Sequence, residues 1–267
     1  MELGSQTKEQ SSSSSVFVLS LALCSTILGI PASLYAIPTL QLDLPGGFYD
    51  PVTMTVVTTS NPFMVTALLN PEGNPNANST INDTYTLSIA LLPQAGPAPV
   101  AGGSFDFEGT PIDVTADMIF GVPPVEALAT HDPGDLPQHG IFETFFFEHD
   151  FQFNSTQTAI PYNTQDNAGD GPTPALGTNF FYVNFDVDTT ALANTFSLHF
   201  DLFQKDLSNQ IGLNNNEELD IDIIEFAPFS HDAEWRRVPE PGTLVLLGLG
   251  LVSLSAWRKQ RSRGSND

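Results

Sequence analysis

The feature that most constrains this chain is a strict alternation of apolar and polar residues in several separated runs, with phenylalanine in many of the apolar positions. Phe145, Phe147, His149, Phe151 and Phe153 alternate with Thr144, Phe146, Glu148, Asp150 and Gln152. Phe181, Val183, Phe185 and Val187 form a second series, and Phe196, Leu198, Phe200 and Leu202 a third, the last opposed by Ser197, His199 and Asp201. Tyr85, Leu87, Ile89 and Leu91 repeat the pattern, as do Val52, Met54 and Val56, then Phe63, Val65, Ala67 and Leu69, and finally Leu219, Ile221 and Ile223. A period of two puts successive side chains on opposite faces of an extended backbone, so these runs suit half-buried strands. Proline, glycine and asparagine clusters at residues 45–47, 70–75, 93–99 and 166–174 separate them as turns. Eight or more such strands predict an all-β fold, a two-sheet antiparallel β-sandwich spanning residues 37–232. The only internal helical candidates are short, at residues 115–120 and 189–193. Of 27 aromatic residues 20 are phenylalanine, which at this period packs a core rather than stacking on sugars.

Charge narrows the range of partners. Of 31 acidic residues only Glu2, Glu9, Glu240 and Asp267 lie outside residues 37–238, leaving 27 acids there against Lys205, Arg236 and Arg237. Such a domain repels phosphate backbones and anionic membrane surfaces, which argues against nucleic-acid binding. The one cysteine, Cys24, sits in the N-terminal apolar run, so the domain beyond it has no disulfide, thiolate metal site or cysteine nucleophile. Leu23 before it is a poor fit to a lipoprotein acylation site.

The two ends read as signals. Residues 16–35 are apolar and follow a serine run, which predicts a secretory signal peptide over residues 1–36, in helical form, with an uncleaved anchor as the alternative. Residues 233–238 form a stalk. After it come Pro239, Glu240 and Pro241, an apolar stretch at residues 244–257, and the basic cluster Arg258, Lys259, Arg261 and Arg263. As a helix the stretch measures about 21 Å, short of the ~30 Å bilayer core, and the basic end stays cytoplasmic. The expected topology is a domain outside the membrane and a tail tip inside.

This order of parts, a Pro-Glu-Pro motif, a glycine-containing apolar helix and a terminal basic cluster, resembles the PEP-CTERM sorting domain of bacteria over residues 239–267. The resemblance implies export through the Sec translocon, transient membrane insertion through the tail, and processing by exosortase, a transpeptidase-like membrane enzyme. It also implies an association with exopolysaccharide or biofilm at the cell surface. Residues 37–43 and 46–50, His139-Gly140-Ile141-Phe142, and residues 226–233 together resemble choice-of-anchor proteins of the N type, which implies an extracellular domain without an assigned activity.

Within the domain the chemistry is thinly signalled. His131, His139, His149, His199 and His231 show no H-x-x-x-H or HExxH spacing, although a zinc or copper site assembled from separated loops stays open. No nucleophile elbow, P-loop or dinucleotide fingerprint is present. Asp166, Asn167 and Asp170, with Gly169 and Gly171, place oxygen donors in one tight loop that suits calcium better than other ligands, without the full EF-hand spacing; a solvated acidic loop is the stronger reading of the same residues. Asp43 and Asp50 bracket another turn, and residues 214–222 are rich in oxygen donors. The expectation is a non-enzymatic structural or adhesive surface protein. The alternatives are a secreted polysaccharide-acting hydrolase, using a carboxylate pair hidden among 27 acids, and a calcium-dependent carbohydrate-binding module.

Overall fold

A computed structural model describes residues 37–74, 79–125, 135–206 and 221–238. Thirteen strands and one 3-10 turn account for their regular structure. The strands run β1 (Leu40–Asp43), β2 (Phe48–Asp50), β3 (Thr55–Thr58), β4 (Phe63–Leu69), β5 (Tyr85–Leu92), β6 (Ser104–Phe107) and β7 (Thr110–Asp113). They continue as β8 (Ile119–Gly121), β9 (Thr144–Phe151), β10 (Phe181–Asp188), β11 (Ser197–Asp206), β12 (Asp222–Phe226) and β13 (Ala233–Trp235), with the 3-10 turn at Phe229–His231. Neither internal helical candidate is a helix. Thr115 takes a left-handed φ of 67° in a turn, residues 119–121 form β8, and residues 189–193 make a turn closed by Leu192 N donating to Thr189 O.

A five-stranded sheet has the order β1-β4-β10-β6-β7 and is antiparallel throughout. The eight-stranded sheet runs β2-β3-β13-β11-β5-β9-β8, with β12 continuing the edge of β11 beyond β13. Its one parallel pairing joins β13 to β3. The two sheets enclose a core containing Leu42, Val65, Leu87, Phe105, Phe185, Leu198, Phe200 and Leu202, all buried. Each such side chain contributes about 1.5–3 kcal/mol of transfer free energy. Phe107 packs on Phe147 and Phe185, and Phe151 on Phe185, so the alternating phenylalanines do meet across the sheets.

Two local expectations change. Val52 and Met54 lie exposed in the turn before β3, and Met54 has a φ of 58°, so that strand begins only at Thr55. Ala233–Trp235, read from the sequence as stalk, are β13 in the larger sheet. Trp235 is buried, stacks on Phe63 at 6.3 Å between ring centroids, and donates from Nε1 to the Ser60 carbonyl at 2.8 Å.

The larger sheet is covered on both faces. β5 is buried at Thr86, Ser88 and Ala90 as well as at the core positions between them. Phe203 on the outward face joins Val122 and Leu136 in a second apolar cluster, against which Phe142, Ile223 and Phe226 pack. Segments before β9 and around β12 thus form a lid over the outside of β11.

Candidate metal centre

His199 and Asp201 occupy alternate positions on β11, opposite in sense to the core residues Leu198, Phe200 and Leu202, and so face the lid. Asp232 lies between the 3-10 turn and β13, and its carbonyl accepts from Val56 N on β3 at 3.0 Å. His139 comes from the lid itself. Its ring stacks on Phe229 at 4.3 Å with a 7° tilt, and its Nδ1 donates to the Pro137 carbonyl at 3.2 Å. A carbonyl can only accept, so that bond puts a proton on Nδ1 and aims Nε2 at the cluster.

Four donor atoms converge there, all within 4.8 Å of one another: the Nε2 atoms of His139 and His199 and one carboxylate oxygen each from Asp201 and Asp232. His139 Nε2 is 3.0 Å from Asp201 Oδ1 and 3.3 Å from His199 Nε2, and His199 Nε2 is 3.4 Å from Asp201 Oδ1. Asp232 Oδ2 stands slightly back, 3.7 Å from His199 and 4.0 Å from His139. The side chains of Asp201 and Asp232 are 2% exposed and that of His199 is 4% exposed. Even so, Asp201 Oδ2, both Asp232 oxygens and His199 Nδ1 are buried without a hydrogen-bond partner. An orphaned buried carboxylate oxygen costs about 1–3 kcal/mol or more, so leaving three of them calls for a compensating charge.

Titration in the cluster is correspondingly distorted. Burial opposes charge on His199, but the Asp201 and Asp232 carboxylates outweigh it and hold its imidazolium up to about 10. Burial and then the Asp201 charge push Asp232 up to about 7. Burial also works against ionised Asp201, yet His199 and His139 bring it down to about 2. Without another cation the centre holds itself together by keeping protons between its acids and imidazoles. A cavity of about 440 Å³ opens beside it, its lining including His139, His199, Asp232, Thr53, Gln138 and Glu234.

The calcium candidates lie elsewhere. Asp166, Asn167 and Asp170 sit exposed on a turn closed by Asp166 N and Asn167 N donating to Asn163 O, and by Asp170 N donating to Asn167 O. The glycine amides of that loop point at a protein anion, Asp43, which accepts from Gly169 N at 2.8 Å and Gly171 N at 3.0 Å. Asp50 pairs with Arg236 at 2.6 Å. Of the other histidines, the half-buried His149 packs against Phe107 and Phe185, and His231 bridges Ser230 and Asn163. His131 lies outside the described residues, as do Pro239, Glu240 and Pro241, the basic cluster Arg258, Lys259, Arg261 and Arg263, and most of residues 214–222. Both terminal helices expected from the sequence fall there too.

Sequence reasoning named His139 and His199 among five histidines but did not join them to a carboxylate. The available signal was His199-Phe200-Asp201, a spacing that on a strand places both ligand types on one face.

A PEP-CTERM protein-sorting motif matches residues 237–261. No curated protein and no solved structure matches the chain, and the choice-of-anchor resemblance finds no support among the comparisons. The motif implies an exported protein with a C-terminal membrane-anchoring tail, sorted by exosortase. Among the described residues no helix is long and apolar enough to cross a membrane.

Proposed function

We propose that this chain is an exported bacterial surface or extracellular-matrix protein with a non-enzymatic structural or adhesive role, associated with exopolysaccharide. The observation that carries the reading is the sorting motif at residues 237–261, which begins two residues after the last strand. The sandwich is thereby presented almost directly on its tail. The domain's composition supports this: 27 acids against three bases keep it soluble and away from anionic surfaces, and the cysteine-free sequence makes it indifferent to the redox state outside.

The test is the intact mass of the protein recovered from envelope and medium fractions of its native host. Loss of about the first 36 residues together with the tail beyond the Pro-Glu-Pro motif is the expected result. A full-length tail retained in the inner membrane would overturn sorting. Hydrolysis of released exopolysaccharide by the purified protein, lost on removing one carboxylate pair, would overturn the non-enzymatic role.

A further inference from the structure

We infer that His139, His199, Asp201 and Asp232 bind one zinc ion, which fastens the lid to the outer face of the larger sheet. For an ion held at about 2.0–2.1 Å, the edges of a regular tetrahedron measure about 3.3–3.4 Å. His139 Nε2, His199 Nε2 and Asp201 Oδ1 form a nearly equilateral triangle with sides of 3.0, 3.3 and 3.4 Å, which is one face of such a tetrahedron. Any three corners of a square-planar set would instead give two short edges and one diagonal about 1.4 times longer, so the triangle disfavours copper(II). Asp232 Oδ2 supplies the fourth vertex, standing 3.7 and 4.0 Å from the two imidazole nitrogens, about 0.3–0.7 Å beyond ideal edges. Two imidazoles in a four-donor set also disfavour calcium, which takes six to eight oxygens.

The buried atoms left without a hydrogen bond point the same way. Asp232 is 1% exposed and has no hydrogen bond to either carboxylate oxygen, while the acceptor edge of His139 is already oriented by the Nδ1–Pro137 bond. A divalent cation would neutralise the two carboxylates. The four ligands come from three places: the segment before β9, β11, and the junction between the 3-10 turn and β13. Zinc would therefore join the lid, a central strand and the last strand. In a domain without cysteine it would do what a disulfide does in other exported proteins.

The experiment uses the full chain in detergent, stripped with a chelator and titrated with zinc chloride. We expect one zinc per chain by elemental analysis. At a thousandfold excess over Kd, zinc should raise the Tm by roughly 8–16 °C. Asp232→Asn and His139→Gln should each weaken binding by more than about 100-fold, since even outer-shell partners of a metal cost 10–100-fold when lost. Asp166→Asn, on the exposed turn, should bind as the parent does. Cobalt chloride in place of zinc should give the intense visible absorption of a tetrahedral site, absent in Asp232→Asn. Should His139→Gln fail to fold, Asp232→Asn alone decides. No zinc uptake by the stripped chain, uptake of calcium but not zinc, or binding unchanged in Asp232→Asn would each overturn the assignment.

Discussion

Asp43 shows how one buried acid can shape a loop. Its carboxylate accepts from its neighbour Leu44 N, from Gly169 N and Gly171 N, and from the Tyr162 hydroxyl at 3.0 Å. The loop is drawn in so closely that a Cβ on Gly169, whose φ is +83°, would stand 2.1 Å from the Gly47 carbonyl oxygen. Asp43→Ala would leave three amides and a phenol without their acceptor, so we expect a loss of about 3 kcal/mol or more in urea denaturation. Asp50 offers a pH readout. The Arg236 guanidinium beside it holds its carboxyl down to about 2, against an ordinary value near 4. A depressed folded-state value means that the stabilisation is complete above about pH 4 and is lost as pH falls toward 2. Wild type should therefore lose more stability than Asp50→Asn across that window, measured as the difference between their acid-denaturation curves. Neither role was legible beforehand. The sequence marks both aspartates as flanking a turn, but Tyr162, Gly169 and Gly171 for the one and Arg236 for the other lie more than a hundred residues away.

At the scale of elements, the alternating runs told most of the story. Leu87, Phe147, Phe185, Phe200 and their neighbours face the core as the period of two requires. The runs that misled are those where a turn interrupts the period, as at Val52 and Met54, or where a strand is too short to show one, as at Ala233–Trp235. β13 matters despite its length. Trp235→Ala removes a buried ring and its hydrogen bond to Ser60, with an expected cost of about 3–5 kcal/mol in the same urea assay. A chain ended after residue 232 should fail to give a cooperative transition, whereas one ended after residue 238 should keep it. The metal centre was half legible. Its histidines can be picked out because there are five of them, but its aspartates are hidden among 27 acids. Only the covering of the outer face, which period-two reasoning assigns to solvent, makes Asp201 and Asp232 unusual.

For the molecule as a whole, the charge and the tail set the setting, and the last strand sets how the domain is held there. β13 lies inside its sheet, hydrogen-bonded to β11 on one side and to β3 on the other. Arg236 extends the attachment by donating from its backbone to Thr58 O and pairing through its side chain with Asp50 and Glu234. The tail thus leaves from a strand gripped on both flanks. A pull transmitted along that strand loads its ladder bonds together in shear instead of peeling them one at a time, and it meets the Asp232 junction next. On the surface role proposed above, a pull on the tail would be met first by this ladder, at the point of attachment.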